Sequence, residues 1–118
     1  MERNILFVDD DPNMLKMVEL FMRKSKHKLS CAKNGRSALK ILEKDNFDLV
    51  ITDIQMPELD GLALIDEIRK VNNDIPIVII SAFGQEMVSE KALEKGTIKV
   101  LRKPFESRQL LEIIEKTI

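Results

Sequence analysis

Asp48-Leu49-Val50-Ile51-Thr52-Asp53, running straight into Ile54-Gln55-Met56-Pro57-Glu58-Leu59-Asp60-Gly61, is an apolar run of strand length that ends in a single carboxylate. A loop with Pro, Asp and Gly follows at once. A short apolar run bounded by turn residues reads as a strand buried on both faces. A buried strand that hands a carboxylate to a turn holds that group rigidly at the edge of the core, open to one side. Asp53 is therefore the first candidate for a functional side chain.

The same pattern recurs on either side. Ile5-Leu6-Phe7-Val8 is a second fully apolar run, bounded by Asp9-Asp10-Asp11-Pro12. Pro12 suits a first helical position and Asp11 the cap before it. A helix over 12–25 is predicted, with Met14, Leu15, Val18, Phe21 and Met22 at helical spacing. A more polar strand over 29–32, the turn Asn34-Gly35 and a helix over 36–44 follow. After the opening strand, Asp60-Gly61 starts another helix, which Asn72-Asn73-Asp74 breaks. A fourth strand over 75–80 leads to a loop at Ser81-Ala82-Phe83-Gly84 and a helix over 85–95 closed by Gly96. A fifth strand over 98–102 ends at Lys103-Pro104-Phe105, and Ser107 is expected to cap the last helix.

Strand–helix alternation repeated five times predicts an α/β fold in three layers, a five-stranded parallel sheet with five helices on its two faces. The first, third and fourth strands are almost wholly apolar, as central parallel strands must be, whereas the second and fifth carry polar residues and belong at the edges. The expected order is 2-1-3-4-5, that of the flavodoxin-like doubly wound sheets. The 118 residues are read as one domain, 1–118.

The composition, 44% apolar and 33% charged with a net charge of −1, provides no global field for nucleic acid or an anionic membrane. Cys31 stands alone, no signal peptide or long apolar span is visible, and a cytoplasmic location is expected. Residues 23–42 hold seven Lys or Arg and no acid, while 43–67 hold eight acids and only Lys44. Such runs usually form solvated faces. The acidic run is more pointed, because it contains Asp53.

In an open parallel sheet, ligands sit beyond the carboxyl ends of the strands, where the strand order reverses. Asp9 and Asp10 lie just past the first strand, Asp53 ends the third, Ser81 follows the fourth and Lys103 the fifth. Three carboxylates in one pocket repel, each pair by about 1 kcal/mol at ~4 Å in water and about 4 kcal/mol at an intermediate dielectric. Protonation or a hard divalent cation relieves such a cluster, and oxygen ligands with room for water suit Mg²⁺. A carboxylate beside Mg²⁺, an ammonium and a hydroxyl can attack phosphorus to give an aspartyl phosphate. Each residue also has an ordinary reading. The Asp triplet could be a helix-cap cluster, Ser81 a loop hydroxyl bonded to its own backbone, and Lys103 a solvated side chain. Chance would then have to place all of them at strand carboxyl ends. His27 is read as a surface turn residue and Cys31 as a small buried one.

Val8-Asp9-Asp10, Asp53-x-x-Met56-Pro57-x-x-Asp60-Gly61, Ser81-Ala82 and Lys103-Pro104-Phe105, in this order and at these spacings, resemble the receiver domain of two-component response regulators. The resemblance covers essentially the whole chain. It implies that Asp53 takes a phosphoryl group from a phosphohistidine on a sensor histidine kinase or histidine phosphotransfer protein. It implies that Asp10, Asp53 and the backbone carbonyl of Gln55 ligate Mg²⁺, with Asp9 acting mostly through bound water. Lys103 would pair with phosphoryl oxygens, Ser81 would move to bond one of them, and the small Ala82 would leave the group accessible. A cis Lys103–Pro104 bond is expected. Such a protein is no enzyme beyond its own phosphorylation and dephosphorylation. Its phosphorylated state would address a downstream protein target or output domain, without direct contact to nucleic acid or membrane.

Departures from the family pattern concern regulation. The fifth-strand switch position, commonly Tyr or Phe, is Val100, and Ile98 and Lys99 stand where acids are common, which favours a monomer over a charge-paired dimer. Phe83 offers no polar group to orient a hydrolytic water, so slow self-dephosphorylation is expected. In this family the first helix and the loop after the fifth strand dock the kinase, which singles out Asn13, Met14, Met17 and Phe105. Two alternatives stand beside this reading. The chain could be a receiver fragment of a longer response regulator or hybrid histidine kinase. A haloacid-dehalogenase-type phosphatase would also place a nucleophilic Asp after a first strand, but would leave Asp53 without a role.

Overall fold

Every strand of the chain is followed by a helix, and the alternation produces one sheet. The computed structural model describes residues 2–56, 59–72, 74–82, 84–97 and 99–118. The strands are β1 (Asn4–Val8), β2 (Lys28–Ala32), β3 (Leu49–Asp53), β4 (Ile77–Ser81) and β5 (Lys99–Arg102). The helices are α1 (Pro12–Met22), α2 (Gly35–Lys44), α3 (Gly61–Val71), α4 (Glu86–Glu94) and α5 (Ser107–Thr117). All strand pairs are parallel and the order is β2-β1-β3-β4-β5, as expected.

Alternate side chains of a strand point to opposite faces, so apolar strands feed two cores at once. Leu6, Val8, Val50, Ile77 and Ile79 pack with Ala38 of α2, Leu64, Ile65 and Ile68 of α3 and Ala92 of α4. Ile5, Phe7, Leu49, Ile51, Val78 and Ile80 face the other way, against Val18 and Met22 of α1 and Leu110, Ile113 and Ile114 of α5. Each fully buried Ile, Leu or Phe contributes roughly 1.5–3 kcal/mol of transfer free energy. With both faces covered, the two cores hold β1, β3 and β4 in register and bring their carboxyl ends level.

Several boundaries shift for local reasons. Helix α1 stops at Met22 because Arg23 N–H turns to Leu20 O and Ser25 N–H to Met22 O, bonds that tighten the last turn and end it. Strand β4 begins at Ile77, past Pro76, and extends through Ser81, whose carbonyl accepts from Lys103 N–H at 2.8 Å. The cap of α5 is Glu106, not Ser107: Glu106 N–H donates to Gln109 Oε1 at 2.7 Å. The Lys103–Pro104 bond is cis.

Two side chains differ from their sequence reading. His27 is buried, not on the surface: its Nδ1 accepts from Arg3 N–H at 3.0 Å and its Nε2 meets Glu115 Oε1 at 2.8 Å. Its polar ends find partners far away in sequence, on the strand β1 approach and on α5, which local pattern cannot show. Cys31 is half-buried, and its thiol is pushed up to about 11 by burial, then by the carboxylate of Glu19.

Candidate functional site

Asp9 follows β1 directly and is fully buried. Its N–H extends the sheet to Ala32 O at 3.1 Å, which points the side chain inward at the sheet's carboxyl end. Oδ1 accepts from Asp11 N–H at 2.9 Å, and Oδ2 lies 3.2 Å from Lys103 Nζ. Asp10 is exposed. Asp11 takes the cap position expected of it and accepts from Asn13 N–H. Asp53 is the last residue of β3 and is 7% exposed. Its Oδ2 lies 3.0 Å from Lys103 Nζ and its Oδ1 accepts from Gln55 N–H at 3.3 Å. Lys103 thus bridges Asp9 and Asp53 from the far side of the sheet.

The loop leaving Asp53 is pinned by backbone contact. Gly61 N–H donates to Ile54 O at 2.9 Å, and a Cβ at Gly61 would lie 2.6 Å from Ile54 Cα and 2.8 Å from Asp53 O. Only glycine lets the start of α3 come this close. Ser81 is buried at the end of β4, one residue beyond Ile80, the register partner of Asp53. The structure therefore brings the side chains of Asp9, Asp10, Asp53 and Lys103 together, and places Gln55 just past β3 and Ser81 at the last position of β4, at the same end of the sheet.

The charges are strongly coupled. Burial raises the Asp9 carboxyl above its ordinary range and the Asp53 charge adds to this, against the pull of Asp11 N–H and Lys103. Burial alone would lower the Lys103 ammonium, but the hydrogen bond and charge of Asp53, with Asp9 behind them, outweigh it and raise it. One ammonium faces two carboxylates, with a third beside them. Single carboxylate oxygens of Asp9, Asp10 and Asp53 all lie within 4.8 Å of one another. This donor set is all oxygen, anionic and partly open through Asp10, and it fits a hard divalent cation that keeps some of its water.

Sequence reasoning missed one member of the site. Gln85 Oε1 accepts from Ala82 N–H at 2.6 Å and Gln85 Nε2 donates to Gln55 Oε1 at 2.6 Å. The visible signal was an unusual residue before α4, glutamine where Ser, Thr, Asp or Asn is preferred.

A family model for the response regulator receiver domain matches residues 5–115. The chain belongs to the response regulator receiver domain family. This receiver is 33% identical over 115 residues to the transcriptional regulatory protein GlrR of Escherichia coli, covering 98% of this chain and 26% of that protein. It is 35% identical to the transcriptional regulatory protein ZraR of Salmonella typhimurium, with the same coverage. The receiver thus spans about a quarter of the length of these relatives. Among solved structures it is similar to NtrX from Brucella abortus, with a TM-score of 0.94 at 32% identity over 99% of this chain and 27% of that one. The isolated receiver domain of that NtrX gives a TM-score of 0.90 at 32% identity, over 95% of each chain.

Other expectations divide. Val100 is half-buried and packs toward the α2–α3–α4 side of the sheet. Phe105 is buried in the core, edge-on to Phe21 with ring centroids 6.4 Å apart, so it is no open docking residue. Met14 and Met17 are half-buried against that same core, and Asn13 is exposed. Pro57, Phe83 and Ile98 lie outside the described residues. Among the described residues, no helix is long and apolar enough to cross a membrane.

Proposed function

We propose that Asp53 is the phosphoryl acceptor of this receiver and that a phosphohistidine on a sensor histidine kinase or histidine phosphotransfer protein is the donor. The observation that carries this reading is Lys103 Nζ held between Asp53 Oδ2 and Asp9 Oδ2, at 3.0 and 3.2 Å, beside the open carboxylate of Asp10. A carboxylate oxygen of Asp53 attacks phosphorus; the O–P bond forms as the P–N bond to histidine breaks, and the imidazole leaves as the neutral ring once it holds one proton. Lys103 already faces Asp53, so its charge is in place for the oxygens of the transferred group and costs no reorganisation. Ser81, on the neighbouring strand, donates its hydroxyl to one of them.

Asp10, Asp53 and the Gln55 carbonyl would hold Mg²⁺, with Asp9 acting through water. Bound there, the ion would neutralise charge on the phosphoryl oxygens. The 118 residues act as one receiver domain in the cytoplasm, as a monomer, and catalyse only their own phosphorylation and dephosphorylation. Output goes to a protein target or an attached domain. The length of the relatives favours an attached domain on a longer regulator, and any contact with DNA belongs to that domain.

Acetyl phosphate with Mg²⁺, followed by intact mass, tests the acceptor. One phosphoryl group should add to the wild type, none to Asp53→Asn, and far less to Asp10→Ala. A wild type that gains no mass from acetyl phosphate or from any cognate kinase refutes the assignment, and an Asp53→Asn protein that gains the same group moves it elsewhere.

A further inference from the structure

Four of the five helix caps of this receiver close onto their own helix, and α4 differs. The side chains of Asp11, Asn34 and Asp60 each accept a backbone N–H from the first turn of their own helix, and Gln109 closes back onto Glu106 N–H at α5. At α4 the cap residue is Gln85, whose side chain makes no bond to its helix. It points backward and sideways instead. Ala82 N–H can only donate, so the atom of Gln85 that meets it at 2.6 Å is the carbonyl oxygen Oε1. The amide Nε2 is then left to donate to Gln55 Oε1, also at 2.6 Å. The polarity of both amides is set by chemistry.

This places Gln85 in a continuous chain of bonds across the mouth of the site. Asp53 Oδ1 accepts from Gln55 N–H, the Gln55 side chain accepts from Gln85, and Gln85 accepts from Ala82 N–H, next to Ser81. On the other side, Gln85 O accepts from both the N–H and the hydroxyl of buried Ser89, one turn into α4. Gly84, at φ +90, supplies the backbone reversal before Gln85. The next residue, Glu86, pairs with Arg102 at the end of β5. The start of α4 is therefore tied to the Asp53 loop, to the residue after Ser81 and to β5, all through the side chains of its cap residue and its first residue.

We propose that the Gln55–Gln85 amide bridge couples the charge state of Asp53 to the N-terminus of α4. Gln85 is a positioning residue: it acts through Gln55 and Ala82 and touches no reacting atom. The proposal rests on phosphorylation at Asp53. A phosphoryl group there competes for Gln55 N–H and draws the Ser81 hydroxyl inward, and Ala82 moves with Ser81. Gln85 is bonded to both displaced loops, so it must either follow them or release one. Following moves the first turn of α4, and release frees that turn from one of its two anchors. Val100 has no ring to swing inward, and the bridge supplies a route that does not need one.

The test compares wild type, Gln85→Met and Gln55→Met, each with and without acetyl phosphate and Mg²⁺. Occupancy is matched by intact mass, and the amide resonances and exchange rates of 85–91 are followed by NMR. Both variants keep chain length and remove the bridge, from opposite ends. The second sits at an exposed position, which keeps the test valid if the first folds poorly. Phosphorylation should shift the α4 amides and change their exchange severalfold in wild type and leave them nearly unchanged in each variant at equal occupancy. The double variant should behave like either single one. An α4 response of wild-type size in both variants, or none in fully phosphorylated wild type, overturns the coupling and leaves the acceptor intact. A wild type that cannot be phosphorylated overturns both.

Discussion

Replacing Asp9 by asparagine in metal-free receiver removes the one fully buried charge of the site and keeps its shape. The carboxylate of Asp9 lies within 4.8 Å of that of Asp53, a repulsion of about 3.5 kcal/mol at an effective dielectric of ~20. Lys103 Nζ at 3.2 Å returns about 5 kcal/mol on the same scale. Burying the ion costs several kcal/mol. Burial, with the Asp53 charge added to it, outweighs the help of Asp11 N–H and Lys103, so the charged form of Asp9 is disfavoured and its carboxyl is raised. Asparagine keeps the Oδ1 acceptor for Asp11 N–H, and its amide nitrogen takes the place of Oδ2, so Lys103 loses an acceptor there. Lys103 retains its bond to Asp53.

Thermal melts in chelator near pH 7 should therefore show Asp9→Asn more stable by about 1–2 kcal/mol, at roughly 3–5 °C per kcal/mol for a domain of this size. A carboxyl raised in the folded state destabilises the fold as pH climbs from its ordinary range through its folded value. The advantage of asparagine should accordingly open with rising pH and vanish below about pH 4, where both chains are uncharged at this position. Saturating Mg²⁺ should narrow the gap, because a ligand that binds only the folded wild type stabilises it by mass action. A lower melting temperature for Asp9→Asn near pH 7, or a gain of equal size near pH 4, would refute the reasoning.

Gly61→Ala forces a Cβ to within 2.6 Å of Ile54 Cα and 2.8 Å of Asp53 O. Urea melts should show a loss of about 1–3 kcal/mol, and phosphorylation should slow because the loop after Asp53 is pushed away. His27→Ala strands Arg3 N–H, which donates to the ring at 3.0 Å, and should cost roughly 1–3 kcal/mol in the same assay. Acetyl phosphate should add one group to the wild type and none to Asp53→Asn by intact mass. Gln85→Met should accept the group and still fail to pass the change to α4, as read from its amide resonances.

The site was readable because each member belongs to a strand end and carries its own chemistry. A carboxylate after an apolar run, as at Asp53 and Asp9, already says where the chain leaves the core, and Lys103-Pro104 marks a strand that stops abruptly. The sheet order followed from which strands could stand burial on both faces. What escaped was everything settled by partners distant in sequence. His27 carries no local sign that Arg3 and Glu115 will take both of its ring nitrogens, and nothing around Phe105 says that Phe21 will occupy its face. Gln85 was read as the first residue of a helix, because its two bonds go to Ala82 and Gln55, the second 30 residues away.

By itself the sequence determined the class of fold, the strand order and the identity of the acidic, hydroxyl and ammonium groups at one end of the sheet. Hydrophobic periodicity and turn chemistry are local, and five strand–helix units pack parallel in few ways. Only the tertiary structure decided which carboxylate is fully buried, which stays open, how Lys103 divides itself between Asp9 and Asp53, and how the loop after Asp53 is tied to α4. Those are matters of ångströms between groups that 50 or 94 residues of chain separate, and local pattern carries no information about them.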